Sequence, residues 1–208
     1  MRAVACSAQR PDFRRQLKSV RIIAGLGNPG RRYANTRHNM GWLALDGLAA
    51  RCDGTEEERC GGLLFRSEPL WLFKPLDYMN GSGPPVARLV AEAGLAVDDL
   101  LVLLDDLNLC MGTIRIRAGG SSGGHKGLAS VIEALGTDQF PRLRMGIGPC
   151  PAEVDAIDFV LSPFEPEELE KAERMGREAA EAAWCWAREG VQAAMNRFNR
   201  KAQSEEKP

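Results

Sequence analysis

The sequence predicts an α/β fold: a single domain in which a twisted, mixed β-sheet carries helices on both faces. Three observations predict it. Strand-like and helix-like segments alternate along the middle of the chain, with no repeat or low-complexity linker between them. Residues 100–104, Leu-Leu-Val-Leu-Leu, form a continuous apolar run suited to a central strand buried on both sides. A chain of 208 residues, 44% hydrophobic and 26% charged, fits one core of ordinary globular composition.

The first element, residues 20–24, reads as a short buried strand. Trp42, Leu45, Ala49 and Cys52 then recur on one face of a helix. Residues 63–65 and 71–74 read as a hairpin closed around Ser67-Glu68-Pro69. Ser82 with Pro84 signals a helix start, and Val86, Leu89, Val90 and Ala93 supply its buried stripe until Gly94 ends it. After the central run, residues 113–117 alternate, with Arg115 and Arg117 on one side. Leu128, Ile132 and Leu135 make a short helix stopped by Gly136, and residues 143–147 another strand. Pro166 opens a long helix whose stripe is Leu169, Met175, Ala179, Ala183 and Trp186.

These elements place the domain at residues 20–199, between a basic extension at 1–19 and a polar tail at 200–208. The extension carries Arg2, Arg10, Arg14, Arg15 and Lys18 against one acid, Asp12. That composition overlaps with organellar transit peptides, and a disordered arm is the plainer alternative. The expected location is cytoplasmic, or organellar if the extension acts as a transit peptide. No apolar run approaches membrane-spanning length, so no membrane partner is expected. A net charge of −1 excludes a wholesale basic coat but leaves room for the local basic face that a nucleic acid needs. The six cysteines form no C-x-x-C pair and suggest reduced thiols in a reducing compartment, with neither a zinc site nor a disulfide frame.

The most informative motif is Gly25-Leu26-Gly27-Asn28-Pro29-Gly30, with His38, the first of two histidines, shortly after it. It matches the G-x-G-x-x-G turn of dinucleotide-binding folds, which requires a helix opening at once to hold a pyrophosphate on its N-terminal amides. Residues 31–39 offer no apolar stripe, Pro29 removes one amide, and the first acid downstream, Asp46, falls inside a helical pattern. The other reading is a loop presenting Asn28 and a catalytic His38. Strand ends and the turns after them collect Asn28, His38, Tyr78-Met79-Asn80, Asp105-Asp106 and Gly123-Gly124-His125-Lys126. Ligands of α/β proteins bind at the carboxyl ends of strands, so these four loops make an enzyme site plausible.

Together these segments resemble the successive signatures of bacterial-type peptidyl-tRNA hydrolases: the glycine loop, Tyr33, Thr36-Arg37-His38-Asn39, Tyr78 to Gly83, Asp105-Asp106-Leu107, Gly123 to Gly127, and Arg142 to Gly148. The resemblance runs over residues 20–199. It implies hydrolysis of the ester joining a nascent peptide to the terminal ribose of tRNA, by a monomer needing no metal or other cofactor, with the acceptor stem and CCA end of peptidyl-tRNA as partner.

An ester needs an activated water, and histidine is the side chain whose ordinary pKa suits a general base near neutrality. By resemblance His38 is that base and Asp105 the carboxylate that orients it. A strand-end aspartate is also an ordinary turn former. Asn28 and Asn80 match positions that contact the peptide and the terminal nucleotide, and Asn80 is a candidate donor to the developing oxyanion. Asn80-Gly81 is equally a good turn. Tyr33, Tyr78 and Met79 are expected to line the cleft. Arg117 and Arg144 match the family's clamp on an acceptor-stem phosphate, a task suited to guanidinium. Lys126 departs from the pattern, since asparagine is usual there: an ammonium beside the reacting centre either disfavours imidazolium or binds the oxyanion. Asn108 replaces a usual acid.

Gly119-Gly120-Ser121-Ser122-Gly123 satisfies G-x-S-x-G, but His125 stands too close behind it and no acid intervenes, so a flexible loop is the better reading. The histidines and acids show no metal-ligand spacing. Plastid splicing factors share the family's likeness while acting as RNA-binding scaffolds without catalysis, and the Arg-rich extension keeps that alternative open. Retention of His38, Asp105, Asn28 and Asn80 is the feature that separates the two.

Overall fold

The computed structural model describes residues 20–199; the basic extension and the polar tail lie outside the described residues. Seven strands form one sheet: β1 (Arg21–Gly25), β2 (Thr55–Arg59), β3 (Gly62–Ser67), β4 (Leu70–Pro75), β5 (Leu100–Cys110), β6 (Ile114–Arg117) and β7 (Arg142–Gly148). Their order is β2-β3-β4-β1-β5-β7-β6. The four central strands β4, β1, β5 and β7 run parallel, whereas β2, β3 and β6 join antiparallel at the edges. The mixed sheet is as expected.

Alternation of side chains along the central strands divides the core in two. Ile23, Leu101 and Leu103 face α1 (Met40–Ala49), α5 (Pro166–Glu189) and α6 (Val191–Phe198). Ile22, Ala24, Leu100, Val102 and Leu104 face α2 (Gly83–Glu92) and α3 (Lys126–Leu135). Both faces of β1 and β5 are therefore dry, which is why residues 100–104 read as an unbroken apolar run.

Three elements depart from the sequence reading. β2 is Thr-Glu-Glu-Glu-Arg and wholly exposed, an edge strand whose charges guard against further pairing rather than alternate in polarity. The short helix α4 (Ala156–Leu161) has no periodicity to betray it; Asp155 starts it by accepting the Ile157 amide at 2.8 Å. β5 continues past the apolar run, so Asp105 and Asp106 lie within the strand, opposite Met145 and Gly146 of β7. Two stripes also shift. The buried face of α1 is Met40, Gly41, Ala44, Leu45 and Leu48, with Trp42 only half-buried. Leu169 of α5 is 48% exposed and borders an open groove with Met40, Leu43 and Phe164.

The glycine motif has a packing explanation. A Cβ on Gly25 would lie 2.4 Å from the Gly41 carbonyl oxygen, and one on Gly27 would lie 2.7 Å from the Trp42 indole. The glycines let α1 sit directly on the ends of β1 and β5, and they lead into a single 3-10 turn (Arg31–Tyr33) rather than a phosphate-binding helix. Gly41 is the other half of this contact, since its own Cβ would lie 2.5 and 2.6 Å from the carbonyl oxygens of Leu26 and Leu103. Gly41→Ala is expected to destabilise the fold by about 1–3 kcal/mol, the usual range for overpacking a rigid site. Urea unfolding checks this, and a midpoint equal to wild type would show that α1 is free to move away.

Candidate active site

His38 lies in a one-turn 3-10 segment (Arg37–Asn39) immediately before α1, and both its neighbours are anchored. The buried Arg37 guanidinium stacks near the rings of Phe159 and Phe164, donates to the Pro163 carbonyl and pairs with Glu168. Glu168 also closes the capping box of α5, so one carboxylate fixes the helix start and the turn bearing His38. On the other side, the Asn39 side chain accepts the Asn28 amide at 2.8 Å and donates to the Asn28 carbonyl at 3.0 Å. From between these anchors the His38 ring projects toward β5.

There His38 Nδ1 meets both carboxylate oxygens of Asp105 at 3.0 Å. A second histidine reaches the same carboxylate: His125 Nε2 lies 3.0 Å from Asp105 Oδ1. The two rings are 5.0 Å apart and tilted by 52°. Asp105 is only 2% exposed. Burial pushes its carboxyl up, but the adjacent imidazoles of His125 and His38, which also hydrogen-bond to it, outweigh that penalty and hold it well below the usual carboxylate range. His125 is also the N-cap of α3, with Nδ1 accepting the Leu128 amide at 3.1 Å.

A cleft of about 600 Å³ opens above this cluster, a size suited to a small ligand or the end of a larger one. Asn28, Tyr78, Met79, Asn80, Lys126 and Arg144 line it together with His38 and Asp105. Asn28 Oδ1 accepts the Met79 amide at 2.8 Å, which leaves the Asn28 amide nitrogen as the donor turned to the cleft. Asn80 is exposed within the 3-10 turn Met79–Gly81, and Lys126 is exposed at the first position of α3. Tyr33 stands behind Tyr78, edge to face at 6.4 Å, and is not part of the lining. Arg144 reaches the cleft wall but is paired there with Asp106. Arg117 is exposed at the end of β6, outside the cleft.

The family model for peptidyl-tRNA hydrolase matches residues 22–207. The chain belongs to the peptidyl-tRNA hydrolase family. A peptidyl-tRNA hydrolase of Symbiobacterium thermophilum is 46% identical over 187 residues, covering 86% of this chain and 99% of its own. That of Salinibacter ruber is 47% identical over 182 residues, covering 86% and 97%. The crystal structure of peptidyl-tRNA hydrolase from Acinetobacter baumannii superposes with a TM-score of 0.81 at 31% identity, covering 86% of this chain and 94% of that one.

Within this hydrolase family framework, two residues of the site carry no signal of their role in the sequence. His125 stands in the glycine-rich motif, yet its partner Asp105 comes from another loop, so no local spacing marks the pair. Asn39 sits next to a more conspicuous histidine, and its work is to fold the backbone of Asn28. The cluster also brings together His38, Asp105 and His125 with ligand-type atoms within 4.8 Å of one another, a set that sequence spacing does not reveal. Its imidazole-to-carboxylate distances of 3.0 Å are those of hydrogen bonds. Two ligands of one tetrahedral zinc ion stand about 3.3 Å apart, given bonds of about 2.0–2.1 Å. Among the described residues no helix is long and apolar enough to cross a membrane.

Proposed function

We propose that this chain hydrolyses the ester between peptide and tRNA in peptidyl-tRNA with His38 as general base, Asp105 orienting it and Asn28 and Asn80 serving as donors. The observation that carries the reading is the His38–Asp105 contact at 3.0 Å at the foot of a cleft edged by uncharged amides. With Nδ1–H directed to the carboxylate, the lone pair of His38 sits on Nε2, where it takes a proton from water. The resulting hydroxide adds to the ester carbonyl. The negative charge that builds on the carbonyl oxygen is met by amide N–H groups, with the Asn28 amide nitrogen already turned to the cleft. Collapse expels the ribose oxygen, which recovers the proton from imidazolium, and leaves a peptide acid and a tRNA hydroxyl. Lys126 is a further cation at the cleft wall, placed at a helix N-terminus that itself disfavours positive charge.

The tRNA reading places the acceptor stem against Arg144 and Arg117. A phosphate there displaces Asp106 from Arg144, whereas no acid among the described residues pairs with Arg117. Replacing both arginines by alanine is expected to weaken tRNA binding and to flatten the log–log salt dependence by about one to two units, one for each phosphate that is no longer neutralised. Cleavage of a short mimic without the acceptor stem should hardly change. An unaltered salt slope in the double variant would put the clamp elsewhere. A monomer acting without metal completes the proposal, and a scaffold with no catalytic task has little use for a doubly hydrogen-bonded buried carboxylate beneath an open cleft. Release of N-blocked amino acid from tRNA by purified protein, with free aminoacyl-tRNA as the control, tests the activity; no release from the blocked substrate would favour the scaffold.

A further inference from the structure

The hydrogen bonds of His125 fix its protonation. A backbone amide can only donate, so the Leu128 N–H at 3.1 Å requires a lone pair on His125 Nδ1. A neutral imidazole has one proton, which must then be on Nε2, the atom 3.0 Å from Asp105 Oδ1. The other tautomer would set two protons against each other at the helix start and two lone pairs against each other at the carboxylate. Imidazolium would lose the cap as well and would place a positive charge at the positive end of α3.

We propose that His125 is a positioning residue for the base: locked as the Nε2–H tautomer by the N-terminus of α3, it donates to Asp105 and holds the carboxylate in place to accept the Nδ1–H of His38. This rests on the reading of His38 as general base. His125 has no proton to accept from that system and no second one to yield, so the proton that His38 takes from water is confined to His38 until the leaving oxygen needs it. The helix cap, a device of folding, thereby sets the placement of the catalytic pair. It also explains why a cluster of two histidines and an aspartate serves as a hydrogen-bonded unit: an ion bound at His125 Nε2 would drive the ring proton onto Nδ1, against the Leu128 amide.

Two substitutions separate the ring's tasks. Asparagine at 125 offers Oδ1 where the ring has Nδ1 and keeps the cap, but stops short of Asp105. Glutamine carries an amide nitrogen to the distance of Nε2 and gives up the cap. His125→Asn is expected to lower kcat roughly ten- to hundredfold with KM nearly constant, the effect of losing one hydrogen bond to a charged group, and to melt below the wild type because the buried carboxylate loses a partner. His125→Gln should melt lower and recover much of kcat. Ring-nitrogen NMR of histidine-labelled wild type should show His125 protonated on Nε2 and His38 on Nδ1, and the His38 Nδ1–H should exchange faster with solvent in His125→Asn as the carboxylate loses its hold. Wild-type kcat in His125→Asn, or a wild-type His125 protonated on Nδ1, overturns the inference. Failure of the general-base reading would appear separately, as activity surviving in His38→Ala, and leaves the NMR result to be judged by itself.

Discussion

His38→Ala should lose at least about a hundredfold in kcat on peptidyl-tRNA while binding tRNA almost as the wild type does, because the ring acts on water and not on phosphate. The fold should survive, since the turn is held by Arg37 and Asn39 on either side and not by His38 itself. His125 cannot stand in as base, because its Nε2 bears a proton directed at Asp105 and its Nδ1 is spent on the Leu128 amide. Single-turnover cleavage alongside a tRNA-binding isotherm checks both halves of the expectation. Retention of more than about a tenth of the wild-type rate would remove His38 from the role of base.

The parts of this fold that are legible in the sequence are those where one face of an element meets one layer of core. Val86, Leu89 and Val90 announce α2, and Ile114 and Ile116 alternate with outward arginines in β6 as the periodicity requires. The rest is settled by tertiary contact. α1 turns about Gly41 rather than Trp42 because a backbone-to-backbone approach outranks a large apolar side chain at that point. β2 and α4 are too short or too polar to carry a period. In the site, His38, Asp105 and Asn28 can be picked out because their residue types state their chemistry and the family's signatures supply their order. His125 and Asn39 cannot, because each acts by holding another residue across a gap in sequence. The pairing of Arg144 with Asp106 is hidden in the same way: the sequence shows a cation for phosphate, and only the fold shows the anion already upon it.

Asp105→Asn is expected to lower kcat by about a thousandfold or more, and the reason lies in which way the new amide must turn. His125 offers a proton to Oδ1 and has no means of accepting one there, so the asparagine carbonyl takes that side. The amide nitrogen then stands where Oδ2 stood, 3.0 Å from His38 Nδ1, and competes there with the carbonyl, which is equally near. Wherever the amide donates, the His38 proton moves to Nε2, the atom that has to receive one from water, and the base is lost. The variant should therefore fold, bind tRNA and fail in chemistry. Its stability should also respond differently to acid. With the Asp105 pKa depressed on folding, the unfolded chain binds more protons between the folded value and the ordinary value of about 3.9, so stability rises with pH across that interval. This contribution is complete above the ordinary value and is lost as pH falls through the folded one. The asparagine variant lacks it, and its melting temperature should drop less steeply below about pH 4 than that of the wild type. Parallel acid limbs in the two proteins would mean that the carboxylate is no better held in the folded state than out of it, and equal kcat values would leave Asp105 a purely structural residue.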